Sequence, residues 1–409
     1  MEASSLTMWE AYRKKKQHIL IGIMSGTSLD GVDAAMVRID TNTSGSIDQI
    51  ELLGFEYIPY SVELKERLIS LCSVEHARLD DLVIANYGIS EWYVSAVENL
   101  LKSTGIERAA VEAISMHGQT VWHAPDQVPF PVPDGQTLVK ATLQIGEAAV
   151  VRERTGIPVI GNLRARDMAA GGEGAPLAPY LDLIVFRSQH VGRIVQNIGG
   201  IGNATVIPAG AHTNECYAFD TGPGNMVMDT LVREETNGQL QYDTGGEIAA
   251  KGHVNDELVE SFYKNDDYYE KVPPKSTGRE VYGSAFAARF RDEGRKRGLT
   301  FEDIIASATA LTAMTIVRSY QRFVFPIHKI GDVIVAGGGA HNKTLLAMMR
   351  KSLAPDCQLH TSENFGIPDD AREAIAFAVM GHESLMGRPS NLPAVTGAAR
   401  PVILGQITL

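Results

Sequence analysis

Cysteine is scarce: Cys72, Cys216 and Cys357 are the only three in 409 residues, far apart and without C-x-x-C spacing. That argues against a disulfide framework or a thiolate zinc site and fits a reducing compartment. No apolar run approaches the ~20 residues of a membrane-spanning helix. Basic charge is in deficit, with 37 Lys and Arg against 49 Asp and Glu and a net charge of −12. An acidic surface repels phosphate backbones, so neither nucleic acid nor membrane is an expected partner. The opening stretch, MEASSLTMWEAYRKKKQH, lacks the apolar core of a signal peptide. It reads as a charged leader helix over residues 1–18 of a cytoplasmic protein.

Familiar catalytic signatures are missing too. Gly337 to Thr344 (GGGAHNKT) nearly spells a Walker A loop, but Asn342 stands where its second glycine is required. The dinucleotide fingerprints that begin at Gly172-Glu173-Gly174 and Gly200-Ile201-Gly202 meet Leu177 and Thr205 in place of the third glycine. There is no H-E-x-x-H and no G-x-S-x-G.

What the chain does have is apolar content (44%) and 39 glycines, enough to bury large cores over two or three domains. Ile19–Met24 is a short apolar strand. It leads through the small-residue turn Ser25–Gly31 into a second β-branched run, Val32–Ile39. Glu51–Tyr57 is a third strand, helical patterning follows from Val62 to Ser103 with Gly105 as the stop, and Ala113–Met116 and Ile157–Ile160 read as buried strands. The order then restarts: strand Arg193–Ile198, turn Gly199–Asn203, strand Ala204–Ile207, strand Tyr217–Asp220, several helices, and a buried strand Asp332–Ala336. The two hairpins start at Ile19 and Ile194, 175 positions apart. A duplicated α/β unit is the expectation. Gly387–Ala399 reads as a surface tail leading to a last strand, Pro401–Leu409.

In Ser25–Gly31, small residues let main-chain N–H groups approach an anion, and the hydroxyls add donors. Asp30 and Asp33 are placed to orient water or Mg²⁺. An ordinary Asp-Gly hairpin explains the same residues equally well. The turn Gly199–Asn203 carries the same two readings, and Gly337–Gly339, between a buried strand and a helix, either lets backbone lie against a flat ring or a phosphate or serves tight strand–helix packing. Three such turns at strand ends in a duplicated chain point to a nucleotide bound between lobes. After the strand ending at Met116, His117, Gln119, Thr120 and His123 cluster, with Trp122 as a stacking face for a sugar. Asp167, between Arg164, Arg166 and a glycine loop, is either a carboxylate base or one half of a surface ion pair. Asp370 and Glu373 have capping-box spacing at the start of a helix. Lys275–Glu280 is a solvated turn or an anion loop.

Taken together, MSGTSLDGVDAA, HGQTVWH, LQIGE, RARDMAAGGEGAPL, QNIGGIGN, FDTGPGN, PPKSTGRE, AGGGAHN and GIPDDAREAIAFA resemble one family, the anhydro-N-acetylmuramic acid kinases. The match runs from about Gly22 to the end of the chain. The resemblance implies two duplicated ribonuclease-H-like lobes with a cleft between them, the actin- and hexokinase-like ATPase fold. It implies an N-terminal lobe of residues 1–185 and 370–409 and a C-terminal lobe of 186–369. It also implies ATP and Mg²⁺ as cofactors, and an anhydro-sugar whose 1,6 bridge is opened by water while O6 is phosphorylated.

By the same resemblance Asp167 activates the water and Glu373 assists beside the sugar. Gly26, Thr27, Ser28, Leu29, Asp30, Gly31, Val32 and Asp33 form the first phosphate segment, Gly199, Gly200 and Asn203 the second, and Gly338 and Gly339 the adenosine turn. His117, Gln119, Gln144 and Arg166 meet the sugar, and a homodimer is expected. Three rival readings stand beside it: a levoglucosan kinase, an actin-like or chaperone-like ATPase without a sugar, and a non-catalytic sugar sensor.

Overall fold

The computed structural model describes residues 9–409. Of the expected leader, residues 1–8 lie outside the described residues, and residues 9–14 are helical. The chain forms two compact units, Met1–Val185 with Gly366–Leu409, and Phe186–Phe365.

In the first unit, β1 (Gln17–Ser25) and β2 (Gly31–Thr41) pair antiparallel, Ile23 opposite Ala34. Both are buried almost throughout, so they read as near-continuous apolar runs. β3 (Ile47–Pro59) extends the meander antiparallel to β2. The helical pattern expected from Val62 to Ser103 divides into two helices, Val62–Leu71 and Leu79–Thr104. The break holds a turn in which the Ala77 N–H donates to the Ser73 carbonyl. Gly105 ends the second helix in the left-handed conformation, φ 67°.

β4 was expected to end at Met116 but spans Ala113–Val132 and folds back as β5 (Gly135–Ile145). It lies parallel to β1 through Ile21 and Ile114, and an extra residue enters it before Gln119 meets Ser25. Gly118, at φ 82°, supplies the positive dihedral of that bulge. β6 (Val159–Gly161) follows parallel to β4.

The second unit repeats this plan. β7 (Gly192–Ile198), β8 (Ile201–Ile207) and β9 (Tyr217–Pro223) form an antiparallel meander. β10 (Ile330–Ala336) lies parallel to β7, and β11 (Gln358–Thr361) parallel to β10. The order β11-β10-β7-β8-β9 matches β6-β4-β1-β2-β3 strand for strand. Long helix Phe301–Phe323, opened by a Thr300–Asp303 capping box, covers this sheet through Ile316 and Tyr320.

The chain then returns to the first unit as helix Arg372–Met386. It lies so close to β1 that a Cβ on Gly22 would sit 1.8 Å from the Ala374 carbonyl oxygen. The stretch expected as a surface tail is only partly on the surface: Gly387, Pro389, Ala394, Gly397 and Ala399 are exposed, but Ser390, Asn391, Leu392 and Thr396 are at most 2% exposed. The side chains of Asn391 and Thr396 find partners inside the unit, which lets this part enter. Of the last expected strand only β12 (Gln406–Thr408) pairs, against β6.

Candidate functional site

The first glycine turn joins β1 to β2. Leu29 takes φ 55°, and Ser28 Oγ donates to Asp30 Oδ1 at 2.7 Å. The turn is held from behind: Gln119 Nε2 donates to the Gly26 carbonyl at 2.8 Å, and Tyr60 OH donates to Gln119 Oε1 at 3.2 Å. Gln119 is fully buried, so the structure places it as a tether of the turn. Asp33, on β2 just past the turn, has its carboxyl pushed up to about 7, first by burial and then by the charges of Asp30, Glu373 and Asp370. The charges of three other carboxylates therefore reach Asp33.

Behind the turn runs a chain of hydrogen bonds. His117 is buried, with Nδ1 3.1 Å from the Ser25 carbonyl oxygen, so that nitrogen carries the proton. Its Nε2 then accepts from Arg164 Nε at 2.7 Å, and Arg164 Nη1 donates to the Gly174 carbonyl at 2.7 Å. Burial, with the nearby guanidinium, holds the imidazole neutral by pushing its pKa well down. The guanidinium itself is pushed down to about 10 by burial, against the pull of Glu373 and Asp167.

Asp167 ends this chain, on short helix Leu163–Ala169, with no exposed surface. Its Oδ1 accepts from Asn391 Nδ2 and Thr396 Oγ1, both at 2.7 Å, and its Oδ2 accepts from the Gly174 N–H at 2.9 Å. Among the described residues Asp167 forms no ion pair with Arg164 or Arg166, which removes the ion-pair reading. A carboxylate offers about four acceptor positions; three are used, and the fourth, on Oδ2, faces Gly172. A Cβ on Gly172 would lie 2.1 Å from that oxygen.

Glu373 is exposed, in the first turn of helix Arg372–Met386. The expected capping box is not formed. The N-cap is Ala371, already at φ −87° and ψ −12°, and no side chain caps the helix. Glu373 is thereby left to act outward, through its charge on Asp33 and Arg164. Arg166 is exposed, and Gln144 is half-buried and donates to Thr142 Oγ1 at 2.8 Å. His123 and Trp122 lie further along β4, where Trp122 is exposed.

In the second unit, Gly199 and Gly200 make the β7–β8 turn and accept, through their carbonyls, from the N–H groups of Asn225 and Gly224. Asn203 lies on β8 rather than in the turn, and its Nδ2 donates to Asp220 Oδ1 at 2.7 Å. Asp220 Oδ2 accepts from the Thr277 N–H at 2.9 Å. Lys275 is buried rather than solvated, with Nζ over the rings of Tyr268 and Phe323, and burial pushes its ammonium down to about 8, while Ser276, Arg279 and Glu280 after it are exposed. Gly337 turns at φ 78° where a Cβ would strike Asn197 Oδ1 at 2.6 Å, and Gly338–His341 forms one 3₁₀ turn beyond it. That turn borders a cavity of about 360 Å³, also lined by Asn225, Asp229, Tyr242 and His341. Burial pushes the Asp229 carboxyl up to about 6.

The structure thus brings Gly26–Asp33, His117, Gln119, Asp167 and Glu373 into one unit, and Gly199, Gly200, Asn203, Gly338 and Gly339 into the other. Sequence reasoning missed Asn391 and Thr396, the donors to Asp167, and the cavity residues Asp229, Tyr242 and His341. Among the described residues no three His, Cys, Asp or Glu side chains converge to hold a metal ion.

A five-stranded unit of order 3-2-1-4-5, occurring twice in one chain with glycine turns at its first hairpin, defines the class: an actin-like ATPase and sugar-kinase fold. The family profile for anhydro-N-acetylmuramic acid kinase matches residues 18–409. The chain is 40% identical over 395 residues to the anhydro-N-acetylmuramic acid kinase of Caldanaerobacter subterraneus subsp. tengcongensis, covering 97% of this chain and 98% of that protein. To the enzyme of the same name from Bacillus cereus strain G9842 it is 41% identical over 390 residues, covering 95% and 98%. The chain belongs to the anhydro-N-acetylmuramic acid kinase family. Among solved structures, a ROK family glucokinase from Streptomyces griseus in complex with glucose and AMPPNP aligns over 88% of this chain and 98% of its own, at 13% identity and a TM-score of 0.38.

Proposed function

We propose that this chain is an ATP-dependent kinase that opens the 1,6-anhydro bridge of anhydro-N-acetylmuramic acid with water and phosphorylates O6, giving N-acetylmuramic acid 6-phosphate in cell-wall sugar recycling. We place the activity in the cytoplasm. The observation that carries the mechanism is the Asp167 carboxylate, buried and fixed by three donors with one acceptor position left on Oδ2. A base must reach the proton that it takes. Asp167 takes it from a water that attacks the anomeric carbon opposite the departing bridge oxygen, as in inverting glycoside hydrolysis. That oxygen needs no separate acid, because it receives the phosphoryl group. Gly172 has to move off Oδ2 for the water to enter.

Gly26–Asp33 contributes N–H groups and hydroxyls to the phosphates. The Gly199–Gly200 turn and the cavity at Gly338 contribute to phosphate and adenosine. His117 and Gln119 act through others: one aligns Arg164 between the turn and the Asp167 loop, the other ties down Gly26. Gln144 and Arg166 remain the proposed sugar contacts. For Mg²⁺, Asp33 and Asp30 fit, since this ion is commonly held by one or two carboxylates and substrate phosphates rather than by a protein cage. The ion would neutralise charge on the transferring phosphoryl group.

The test is ATP consumption with 1,6-anhydro-N-acetylmuramic acid, levoglucosan, N-acetylmuramic acid and glucose. Turnover with the first alone supports the proposal. Preference for levoglucosan overturns the substrate, and ATP hydrolysis indifferent to sugar returns the chain to the non-kinase ATPases.

A further inference from the structure

The glycine loop over Asp167 is anchored at both ends by the tail of the chain. The Ala399 N–H donates to the Ala170 carbonyl and the Glu173 N–H to the Thr396 carbonyl, both at 2.8 Å. Between these anchors stand Gly171 and Gly172, whose N–H groups turn back onto the carbonyls of Met168 and Asp167. Among the described residues one side chain bonds to this pair: Lys140, whose Nζ donates to the Gly171 carbonyl at 3.2 Å. Gly171 is exposed at φ 90°, and a Cβ on it would meet nothing within 4 Å. Once Lys140 lets go, two unobstructed glycines are free to turn.

Lys140 stands on the face of β5 that looks onto this loop. Lys140, Thr142 and Gln144 alternate with Ala141 and Leu143, and the first set is half-buried where the second is exposed. His123 Nδ1 lies 3.1 Å from Thr142 Oγ1, to which Gln144 also donates, and the charges of Arg164 and Glu173 both act on His123. A row of polar groups thus runs from Gln144, a proposed sugar contact, to the cover of the proposed base. Lys140 is its positive end, and among the described residues no carboxylate pairs with it.

We propose that Lys140 is a positioning residue that locks Gly171 and Gly172 over Asp167 and exchanges the Gly171 carbonyl for the carboxylate of the sugar, so that the base is uncovered only when an acidic sugar binds. The inference rests on the function proposed above, since anhydro-N-acetylmuramic acid carries a lactyl carboxylate and levoglucosan does not. An ammonium holds a carboxylate, whose charge opposes its own, more strongly than a neutral carbonyl, so the acid wins the lysine. The Gly171 carbonyl, being exposed, turns to water and no buried acceptor is left unpaired. On a chain of net charge −12 an arriving acid also needs such a counter-charge. Until the sugar is seated, the lock keeps water off the carboxylate.

Lys140→Met keeps an unbranched side chain of similar length and removes the charge. In calorimetric titrations wild type should bind anhydro-N-acetylmuramic acid at least ~10-fold more tightly than its methyl ester, the scale of one charged hydrogen bond. The variant should lose that preference and Lys140→Arg should restore it, whereas a lysine that only braced β5 would move both affinities alike. Hydrogen exchange on the ligand-free chain is the second readout and needs no sugar. The Gly172 amide should exchange at least ~10-fold faster in Lys140→Met than in wild type or Lys140→Arg, as a local opening no longer opposed by that bond. An acid-to-ester preference that survives in Lys140→Met, or unchanged exchange at Gly172, would overturn the proposal. A wild type that binds neither sugar would overturn the function above and the carboxylate's part with it, while exchange at Gly172 still decides whether Lys140 locks the loop.

Discussion

Asp167→Asn is the substitution that bears most directly on the proposed base, and the surrounding donors set its structural cost. Three donors point at this carboxylate: Asn391 Nδ2, Thr396 Oγ1 and the Gly174 N–H. An asparagine keeps an acceptor for Gly174, and the Thr396 hydroxyl can rotate to accept, but its amide nitrogen then faces that of Asn391. One buried donor loses its partner, at about 1–3 kcal/mol, or ~2–10 °C in Tm for a unit of this size. Turnover should fall by ~10²–10⁴, the scale of a general base, with sugar and nucleotide still bound.

Loss of stability and loss of a base are confounded in that variant, and the structure offers a way to part them. When Asp167→Asn is combined with Asn391→Asp, the carboxylate stands on the other member of the pair. It accepts from the amide introduced opposite it while keeping the Val402 N–H that Asn391 Oδ1 now receives. Tm should recover by most of the loss and turnover should not. Melting by calorimetry and coupled ADP release on the same samples measure both. Turnover within ~10-fold of wild type in the double variant would refute the base assignment, because only the hydrogen-bond complement would have been restored.

Gly26→Val should abolish ATP binding by calorimetric titration with melting unchanged, since a Cβ there meets nothing nearer than 3.6 Å in the fold and is left to obstruct the phosphates. Asp33→Asn should raise Tm at pH 8 and matter progressively less toward pH 4. The folded carboxyl sits at about 7 against 3.8 for an unperturbed aspartate, so the folded state holds a proton that the unfolded state has lost, and stability falls as pH rises through that window. Partial exposure discounts the effect to about 1–2 kcal/mol, and a pH series of melts that coincides with wild type would remove it. Gly172→Ala should slow turnover with little change in nucleotide affinity, because the methyl group would meet Asp167 Oδ2; unchanged kcat would count against Gly172 as the cover of the base.

The parts of the fold visible in the sequence are those written locally. Strand, small-residue turn and strand recur at Ile19 and Ile194, and the structure repeats the same five-strand order around them. Thr300–Phe323 and Gly105 carry their own start and stop signals. The inward turn of the tail at Ser390–Leu392 was not visible, because what draws Asn391 inward is a carboxylate 224 positions earlier. The β5 ribbon had a signal that went unread: Asp134-Gly135, a hairpin turn pair, flanked by alternating Val128, Phe130, Val132 and Thr137, Val139. The capping-box spacing at Asp370 and Glu373 misled because the chain enters that helix one residue later, at Ala371. Of the candidate site, residue types and turns were legible; that His117 and Gln119 face inward, as fasteners, depends on the Gly118 bulge and was not.

Helix Arg372–Met386 seats on Gly22, yet about half the chain is synthesised between Val185 and Gly366. At ~5–20 residues per second, roughly 10–40 s pass in which the ribosome has released the strands β1, β2 and β4 but not the helix that covers them. Throughout that interval a nascent apolar sheet stands open, while the intervening unit has every strand of its own and is free to fold first. A message truncated anywhere before codon 372 would therefore leave a product whose earliest-made half never closes, a natural client for holding chaperones and for proteases.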